Sequence, residues 1–223
     1  MTDIYQLMPQ ISDLIPYGYQ HIKNPTYEAL IAQYLGQFKS KKNPVFIQVG
    51  GIPGAGKTTF CQQLSGHLFL SFDQIMESIP AYQQDLYLLG NVKAFEKWEI
   101  PARVIGYEIL CRAINKRFDI VLEHSGVNQA HLSLFKSLQK LGYTTNMYFI
   151  SCPLSLALSR ASEREQRTHR FTPPEMIKKR FDLVQKYVAE YKNIANHTYI
   201  YDSSSDKFVL KDCFVPQIAV GAL

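Results

Sequence analysis

The sequence of 223 residues lacks the patterns that mark membrane and secreted proteins. No apolar run approaches the length that spans a membrane, and no basic flank leads from the N-terminus into an apolar stretch. We therefore expect a cytoplasmic protein without a membrane partner. The chain also has no low-complexity stretch and no internal repeat, so we expect a compact globule.

Cysteine is scarce, and its four residues are far apart. None belongs to a Cys-x-x-Cys pair or stands at metal-ligand spacing from a histidine, which argues against a cysteine metal site. We expect all of them to be reduced thiols of the core: Cys61, Cys111, Cys152 and Cys213.

The formal net charge of +5 is modest, and its excess is concentrated late in the chain. A diffuse basic face would favour nucleic acid, whereas a local cluster suits the handling of phosphate. We therefore do not expect a nucleic-acid partner. The cluster consists of Arg160, Arg164, Arg167, Arg170, Lys178, Lys179 and Arg180.

One segment matches a complete phosphate-binding motif. Residues 51–58 read Gly-Ile-Pro-Gly-Ala-Gly-Lys-Thr, which is a glycine, four residues and then Gly-Lys-Thr. The apolar run Val45–Val49 predicts a strand before the loop, and the residues from Thr59 onwards predict the start of a helix. A strand, a glycine loop and a helix in this order predict a nucleoside triphosphate site.

Each residue type in this loop has a chemical reason. Backbone N–H groups at a helix N-terminus form a concave anion site, and glycines let the backbone approach the phosphates. Lys57 can reach the β- and γ-phosphates, and the Thr58 hydroxyl can ligate Mg²⁺. The predicted nucleotide-binding residues are Gly51, Pro53, Gly54, Ala55, Gly56, Lys57, Thr58 and Thr59.

Strands and helices alternate along the chain. Near-continuous apolar strands that alternate with helices predict an α/β fold, a doubly wound and mostly parallel five-stranded sheet with helices on both faces. The predicted strands cover residues 45–49, 68–72, 120–123, 146–151 and 198–201. The predicted helices cover residues 102–116, 129–141, 154–164 and 175–193, with a further helical stripe at 27–38. We expect residues 1–44 to be a helical extension and residues 45–223 to be the P-loop domain.

Two carboxylates follow predicted strands, at the edge where such sheets bind ligands. Asp73 can orient or deprotonate an accepting hydroxyl, so it is the candidate catalytic base, with a helix N-cap as the alternative. Glu123 could hold Mg²⁺ through water, bind a substrate hydroxyl or be a solvated carboxylate. His124 and Ser125 follow it in the same loop.

The arginine-rich segment at about residues 160–172 ends a predicted helix and precedes Pro173-Pro174. A mobile cationic lid there would stabilise the transferring phosphate and exclude water, because guanidinium groups donate to phosphate in pairs. The alternative is a solvated helix face on which Glu163 and Glu165 offset part of the charge.

The order and spacing of these motifs resemble the zeta toxin family of P-loop kinases over about residues 45–202. The matching elements are Gly-Ile-Pro-Gly-Ala-Gly-Lys-Thr-Thr, Ser71-Phe72-Asp73 with Pro80 and Tyr82, Ile120-Val121-Leu122-Glu123-His124-Ser125, Leu141-Gly142-Tyr143, Arg160, and Arg170-Phe171-Thr172-Pro173. In one place the chain departs from the family. Where the family often reads Glu-Gly-Thr-x-Arg, this chain reads Glu123-His124-Ser125-Gly126-Val127, so an arginine expected to help hold the substrate is absent.

The resemblance implies an ATP-dependent kinase that transfers the γ-phosphate to a small-molecule hydroxyl. In the family's best-known bacterial members the acceptor is the sugar of UDP-N-acetylglucosamine, and an antitoxin protein is the implied partner. By this resemblance Asp73 is the base, and Lys57 and Thr58 bind ATP and Mg²⁺. The residues implied to contact phosphate are Arg160 (or Arg164) and Arg170, and those implied to line the sugar-nucleotide site are Glu108, Glu123 and Ser125.

Other classes of protein carry the same loop. A regulatory GTPase should show Asn-Lys-x-Asp, and the stretch Asn115-Lys116-Arg117-Phe118 lacks that aspartate. A mechanical ATPase or transporter subunit would need motifs that couple it to a partner. A nucleoside, antibiotic or polynucleotide kinase of the same fold stays open, as does a nucleotide-binding interaction module without turnover.

Overall fold

The computed structural model describes residues 2–15, 25–168 and 170–216. Its strands are β1 (Val45–Gly50), β2 (Leu68–Ser71), β3 (Ile120–Glu123), β4 (Thr144–Ser151), β5 (His197–Asp202) and β6 (Val209–Phe214). They form one sheet in the order β2-β3-β1-β4-β5-β6. The neighbours from β2 to β5 pair in parallel, and β6 pairs antiparallel with β5.

The predicted α/β fold class is confirmed, but the predicted strand count was wrong. The sixth strand, β6, lies at the sheet edge, with Thr198 opposite Phe214. Most of its side chains are exposed. An edge strand without a buried face carries no alternating apolar pattern, and this is why the sequence did not reveal it.

The helices cover both predicted and unpredicted segments. They are α1 (Ile4–Leu7), α2 (Pro25–Leu35), α3 (Lys57–Cys61), α4 (Phe72–Glu77), α5 (Pro80–Leu89), α6 (Asn91–Asn115), α7 (Gln129–Lys140), α8 (Leu154–Thr168) and α9 (Pro174–Ile194), with a short 3-10 turn at Ile11–Asp13. The helix predicted to begin at residue 102 begins at Asn91 instead, because Pro101 lies inside α6 without ending it. The helix after the phosphate loop is only five residues long.

Two apolar clusters cover the two faces of the sheet. Successive residues of a strand point to opposite faces, and accordingly Phe46 packs in one cluster while Ile47 and Val49 pack in the other. The first cluster contains side chains of α1, α2, α4, α5, α6 and α7, and the second contains those of α3 and α8. The division of the chain at residue 44 stays a prediction.

The register of the strands determines which residues lie next to one another at the carboxyl edge of the sheet. Val49 of β1 and Ser71 of β2 both lie opposite Glu123 of β3, so the carboxyl ends of these strands are level. Asp73 lies in the first turn of α4, directly after β2, and the N-cap residue of α4 is Ser71. The alternative role of Asp73 as an N-cap is therefore wrong.

All four cysteines are free, as the sequence indicated. Cys61, Cys111 and Cys152 are buried, whereas Cys213 of β6 is exposed and is not a core thiol. In the described part of the chain, no helix is long and apolar enough to cross a membrane.

The contact between α4 and α6 depends on a glycine. A Cβ atom on Gly106 would lie 2.4 Å from Cδ1 of Phe72, which immediately precedes Asp73. Phe72 also packs against the buried ring of Tyr107, with ring centroids 4.8 Å apart. The absent side chain at position 106 therefore lets α4 lie against α6 and sets the position of Asp73.

We predict that Gly106→Ala lowers the free energy of unfolding. The methyl group displaces the Phe72 ring, and this overpacking outweighs the gain in helix propensity, for a net loss of about 1–2 kcal/mol. Urea denaturation followed by circular dichroism measures the change. Lys93→Ala, on an exposed position of α6, is the control and should change stability by less than about 0.5 kcal/mol. A Gly106→Ala variant as stable as the parent would contradict this packing account.

Candidate active site

The phosphate loop has a backbone that few other sequences can adopt. Gly51 and Gly54 have φ angles of 128° and 85°, in the region that disfavours side chains. A Cβ atom on Gly51 would lie 2.3 Å from the Ile150 carbonyl oxygen, and one on Gly54 would lie 2.1 Å from that of Ala157. The loop thus runs directly against β4 and α8, and its N–H groups are presented at the start of α3.

Lys57 and Thr58 make the first polar contacts of the site. The Lys57 Nζ atom donates to the Ile52 carbonyl oxygen at 3.0 Å. Burial lowers the pKa of Lys57 to about 8, and the nearby Arg180, Arg170 and Arg164 add to that effect against the opposing influence of Glu123. The Thr58 hydroxyl lies 2.9 and 3.1 Å from the two carboxylate oxygens of Glu123.

The loop after β3 is attached to β1 by backbone hydrogen bonds. The His124 N–H donates to the Val49 carbonyl oxygen, and the Gly51 N–H donates to the Ser125 carbonyl oxygen, both at 3.2 Å. Glu123, His124 and Ser125 are all buried. The Glu123 loop and the phosphate loop therefore form one fixed unit at the carboxyl edge of the sheet.

Two crevices open at this edge. The first, of about 90 Å³, is lined by Asp73 and by residues of α6, α8 and α9; we call it the Asp73 crevice. The second, of about 440 Å³, is lined by Gly54, Gly56 and Phe208; we call it the Phe208 crevice. Three residues line both crevices and mark the place where the crevices meet: Lys57, Glu123 and Arg164.

The structure distributes the phosphate-loop residues between these crevices. Pro53 lines the Asp73 crevice. Thr58 and Thr59 line the Phe208 crevice beside the two glycines. Gly51 and Ala55 line neither crevice. The Ala55 carbonyl oxygen instead accepts a hydrogen bond from the Ser203 hydroxyl at 2.7 Å.

The arginines of the predicted lid occupy different places. Arg160 and Arg167 line the Phe208 crevice, and Arg160 donates to the Ser203 carbonyl oxygen at 2.9 Å. Arg164 donates to the Thr172 hydroxyl at 2.6 Å. Arg170 lines the Asp73 crevice and forms an ion pair with Asp73. Arg164 is therefore the lid arginine at the junction of the crevices.

These guanidinium groups have donors to spare. The buried Nε atoms of Arg164 and Arg170 have no hydrogen-bond partner among the described residues. Burial lowers the pKa of Arg170 to about 10 and also lowers the pKa of Arg164. A buried cation with an unused donor is suited to binding an anion.

Three further charged residues line the Asp73 crevice, and of these the sequence had indicated only Arg180, as a member of the basic cluster. Arg103 of α6 pairs with Glu99 one turn earlier at 2.5 Å, and both line the crevice. Arg180 of α9 lines it as well, and burial lowers the pKa of Arg180 to about 10. Only the Glu-x-x-x-Arg spacing of Glu99 and Arg103 could have indicated this pair from the sequence.

Glu108 is not brought to this site. Its carboxylate accepts from the Arg112 Nε atom at 2.6 Å, and Arg112 also pairs with Glu28 of α2 at 2.7 Å. Glu108 thus lies on the face of α6 that packs against α2, and it lines neither crevice. The place that the resemblance implied for Glu108 is corrected: Glu99 is the α6 carboxylate in the crevice wall.

Two buried histidines pack against each other, His124 in the Glu123 loop and His131 in α7. The rings of His124 and His131 are stacked, with centroids 4.0 Å apart. His131 is hydrogen-bonded to Gln48 at 2.9 Å and to the Tyr107 hydroxyl at 3.0 Å. Burial lowers the pKa of His131 to about 3 and holds the pKa of His124 well below its ordinary value, so both rings are neutral.

The sheet, the phosphate loop and the cationic crevices define the class of this protein, a P-loop phosphotransferase. The sequence profile described as Zeta toxin matches residues 30–212. The chain therefore belongs to the zeta toxin family, and the predicted resemblance is confirmed. No curated protein matches the chain.

Solved structures share the fold at low sequence identity. A structure of the PezAT chromosomal toxin-antitoxin system of Streptococcus pneumoniae has a TM-score of 0.72 and 18% identity, over 88% of this chain and 84% of that chain. AvrRxo1-ORF1:AvrRxo1-ORF2 with sulphate ions has a TM-score of 0.64 and 12% identity, over 93% and 72%. The same pair with ATP has a TM-score of 0.62 and 12% identity, over 85% and 66%.

We predict that acid destabilises the fold through His131. Its pKa is lowered in the folded state, so the unfolded chain binds more protons as the pH falls below about 6.5, and stability is lost down to about pH 3. Between pH 7 and pH 5 this residue alone should cost about 2 kcal/mol. Urea denaturation at both pH values measures it. His131→Gln should reduce the pH dependence by that amount, and an unchanged dependence would refute the assignment.

Proposed function

We propose that this protein is an ATP-dependent kinase that transfers the γ-phosphate of ATP to a hydroxyl of a small molecule. The observation that carries the proposal is the junction of the two crevices at Lys57, Glu123 and Arg164. A phosphotransferase has to hold a donor and an acceptor on opposite sides of the transferring group. The Phe208 crevice is the donor site and the Asp73 crevice is the acceptor site.

The residues of the Phe208 crevice fit a triphosphate. Its wall contains the phosphate loop and its cations Lys57, Arg160 and Arg164, and backbone N–H groups and guanidinium groups are the usual ligands of phosphate. Arg160 would contact the nucleotide, and Arg164 would contact the phosphate at the junction. The AvrRxo1-ORF1:-ORF2 structure, which has a similar fold, is described as a complex with ATP, and this supports ATP as the proposed nucleotide.

Thr58 and Glu123 fit Mg²⁺. Their three side-chain oxygens lie within 3.1 Å of one another across the junction, and Mg²⁺ prefers oxygen ligands and keeps several waters. The described residues contain no group of three histidine, cysteine, aspartate or glutamate side chains that could hold a metal, so protein ligands at Thr58 and Glu123 would be completed by phosphate oxygens and water. When bound, Mg²⁺ would offset the negative charge of the triphosphate.

Asp73 would act as the base. Its carboxylate would take the proton of the acceptor hydroxyl while that oxygen bonds to the γ-phosphorus and the bond to the ADP oxygen breaks. The ion pair with Arg170 holds the Asp73 carboxylate in the wall of the acceptor crevice. Arg170 is also close enough to Lys57 to lower its pKa, so it can share its donors with the transferring phosphate.

The acceptor is proposed to be anionic, with UDP-N-acetylglucosamine as the leading candidate. Arg180 forms no hydrogen bond or ion pair with the residues that the structure describes, and it lies in a wall that also contains Arg103. Such an excess of cations suits a diphosphate. Glu123 and Ser125 would bind sugar hydroxyls. A neutral nucleoside or antibiotic would add no negative charge beside Arg103 and Arg180, which share Glu99 as a nearby carboxylate.

Segment 160–172 is proposed to be a lid. Arg164 contacts Thr172, and Glu165 of α8 accepts from Asn91 at the start of α6 at 2.6 Å, so the segment spans the mouth between α6 and α9. Closure over the phosphates would exclude water and favour transfer over hydrolysis. Arg160, Arg164 and Arg167 would then move together with α8, which contains them.

An antitoxin protein is proposed as a partner, and the cytoplasm as the location. The PezAT structure is described as a toxin-antitoxin system. This chain exposes Tyr87 and Leu88 at the end of α5, by 90% and 72%, which is unusual for large apolar side chains without a partner.

We predict that Thr58→Val lowers the rate of phosphoryl transfer by about 100-fold, which corresponds to about 2.7 kcal/mol in the barrier. The valine keeps the shape of threonine and removes the oxygen ligand. Initial rates of ADP release, measured against Mg²⁺ concentration, test the prediction. Thr144→Val is the matched control, because Thr144 is exposed at the start of β4 and lines neither crevice. Equal losses for both variants would contradict the Mg²⁺ assignment.

We predict that Asp73→Asn reduces kcat by about 100- to 10,000-fold, because the amide cannot accept the proton. Mass spectrometry of UDP-N-acetylglucosamine incubated with Mg²⁺ and ATP measures the product. Asp212→Asn, at an exposed position of β6, should leave kcat unchanged. Equal product from Asp73→Asn and wild type would overturn the role of Asp73. A wild type that binds ATP and forms no product would redirect the assay to nucleosides, antibiotics and oligonucleotides.

A further inference from the structure

His124 lies in the wall of the Asp73 crevice, and its ring is held on two sides. One face stacks on His131 at 4.0 Å with an interplanar angle of 18°, and the ring of Phe72 packs edge-on with centroids 5.8 Å apart. His124 is 9% exposed. The ring is therefore a rigid part of the crevice wall.

One hydrogen bond fixes the proton of His124. The Gly126 N–H donates to its Nδ1 atom at 3.2 Å. A ring nitrogen that accepts carries no proton, so the ring is neutral and its single proton is on Nε2. Gly126 can make this bond because its φ is +77°, and a Cβ atom there would lie 2.7 Å from the Met147 Cε atom.

The Nε2–H group of His124 makes no hydrogen bond within the described part of the chain. Among the residues that the structure describes, no group accepts a hydrogen bond from it, and His124 lines the Asp73 crevice beside Ser125. Lys57, Arg164 and Arg170 of the same crevice each donate to at least one group, in Ile52, Thr172 and Asp73, whereas the His124 ring donates to none of the described residues. A donor that has no protein partner and lies in a crevice wall is available to a ligand or to water.

We propose that His124 is a substrate-binding residue whose Nε2–H donates to a neutral oxygen of the phosphate acceptor, a hydroxyl or a carbonyl. The assignment rests on the proposed function of the Asp73 crevice as the acceptor site. A neutral donor matches a neutral oxygen, whereas the arginines of the same crevice match the acceptor's anionic group. His131, held by Gln48 and Tyr107, keeps the His124 ring in place.

The tautomer is tested first, without any acceptor. In ¹⁵N NMR of histidine-labelled wild-type protein at pH 7.5, the His124 signal should be that of a ring protonated on Nε2, and His124→Gln identifies the signal by its loss. A ring protonated on Nδ1, or on both nitrogens, would overturn the proposal. This readout does not depend on what the enzyme phosphorylates.

Kinetics with UDP-N-acetylglucosamine as the probe then test the contact. Glutamine places its amide nitrogen near the position of Nε2, whereas asparagine places it near Nδ1, so the two variants form a matched pair. We expect His124→Gln to keep the acceptor KM within about 3-fold and His124→Asn to raise it about 5- to 30-fold, with the KM of ATP unchanged in both. Equal acceptor KM values for the two variants would refute the contact.

The two proposals fail in different ways. If wild type binds ATP but does not phosphorylate the probe, the proposed acceptor is wrong, and the NMR result alone decides whether His124 presents a donor. If wild type phosphorylates the probe and both variants match it, the kinase assignment stands and the role of His124 falls. Thermal unfolding of both variants confirms that they are folded.

Discussion

The contact between the Thr58 hydroxyl and the Glu123 carboxylate is the interaction on which the rest of the site depends. It joins the phosphate loop after β1 to the loop after β3, at the point where both crevices meet. The contact is possible because the parallel register places Val49 opposite Glu123. Backbone hydrogen bonds from His124 and Gly51 reinforce it on either side. The sheet thus sets the separation of the two crevices, which are the proposed donor and acceptor sites.

The second constraint is electrostatic. Five cationic side chains and three carboxylates line the Asp73 crevice, and burial lowers the pKa of Lys57, Arg164, Arg170 and Arg180. Cations held in such a wall cost stability in the absence of an anion. Perturbed groups in a cleft are typical of active sites, where the same cost becomes a gain when phosphate binds. This arrangement makes the Asp73 crevice suited to an anionic ligand.

The sequence was informative where the signal is local. The phosphate loop and Asp73 come just after a strand, and Glu123 is the last residue of one, so a motif and a strand boundary were enough to place them. Arg180 and Phe208 come from α9 and from the turn between β5 and β6, and only tertiary packing brings them to the site. Glu99 and Glu108 differ by nine residues, about two and a half helical turns, so they lie on opposite faces of α6. Choosing between them requires knowing which face of α6 is turned towards the crevice, and the sequence alone does not show this.

A crystal structure of the protein with Mg²⁺, a non-hydrolysable ATP analogue and UDP-N-acetylglucosamine would test the central claim most directly. The account predicts the triphosphate in the Phe208 crevice, its γ-phosphate between Lys57, Glu123 and Arg164, and the acceptor sugar in the Asp73 crevice with a hydroxyl facing Asp73. A nucleotide bound outside the Phe208 crevice, or an acceptor bound away from Asp73, would contradict it.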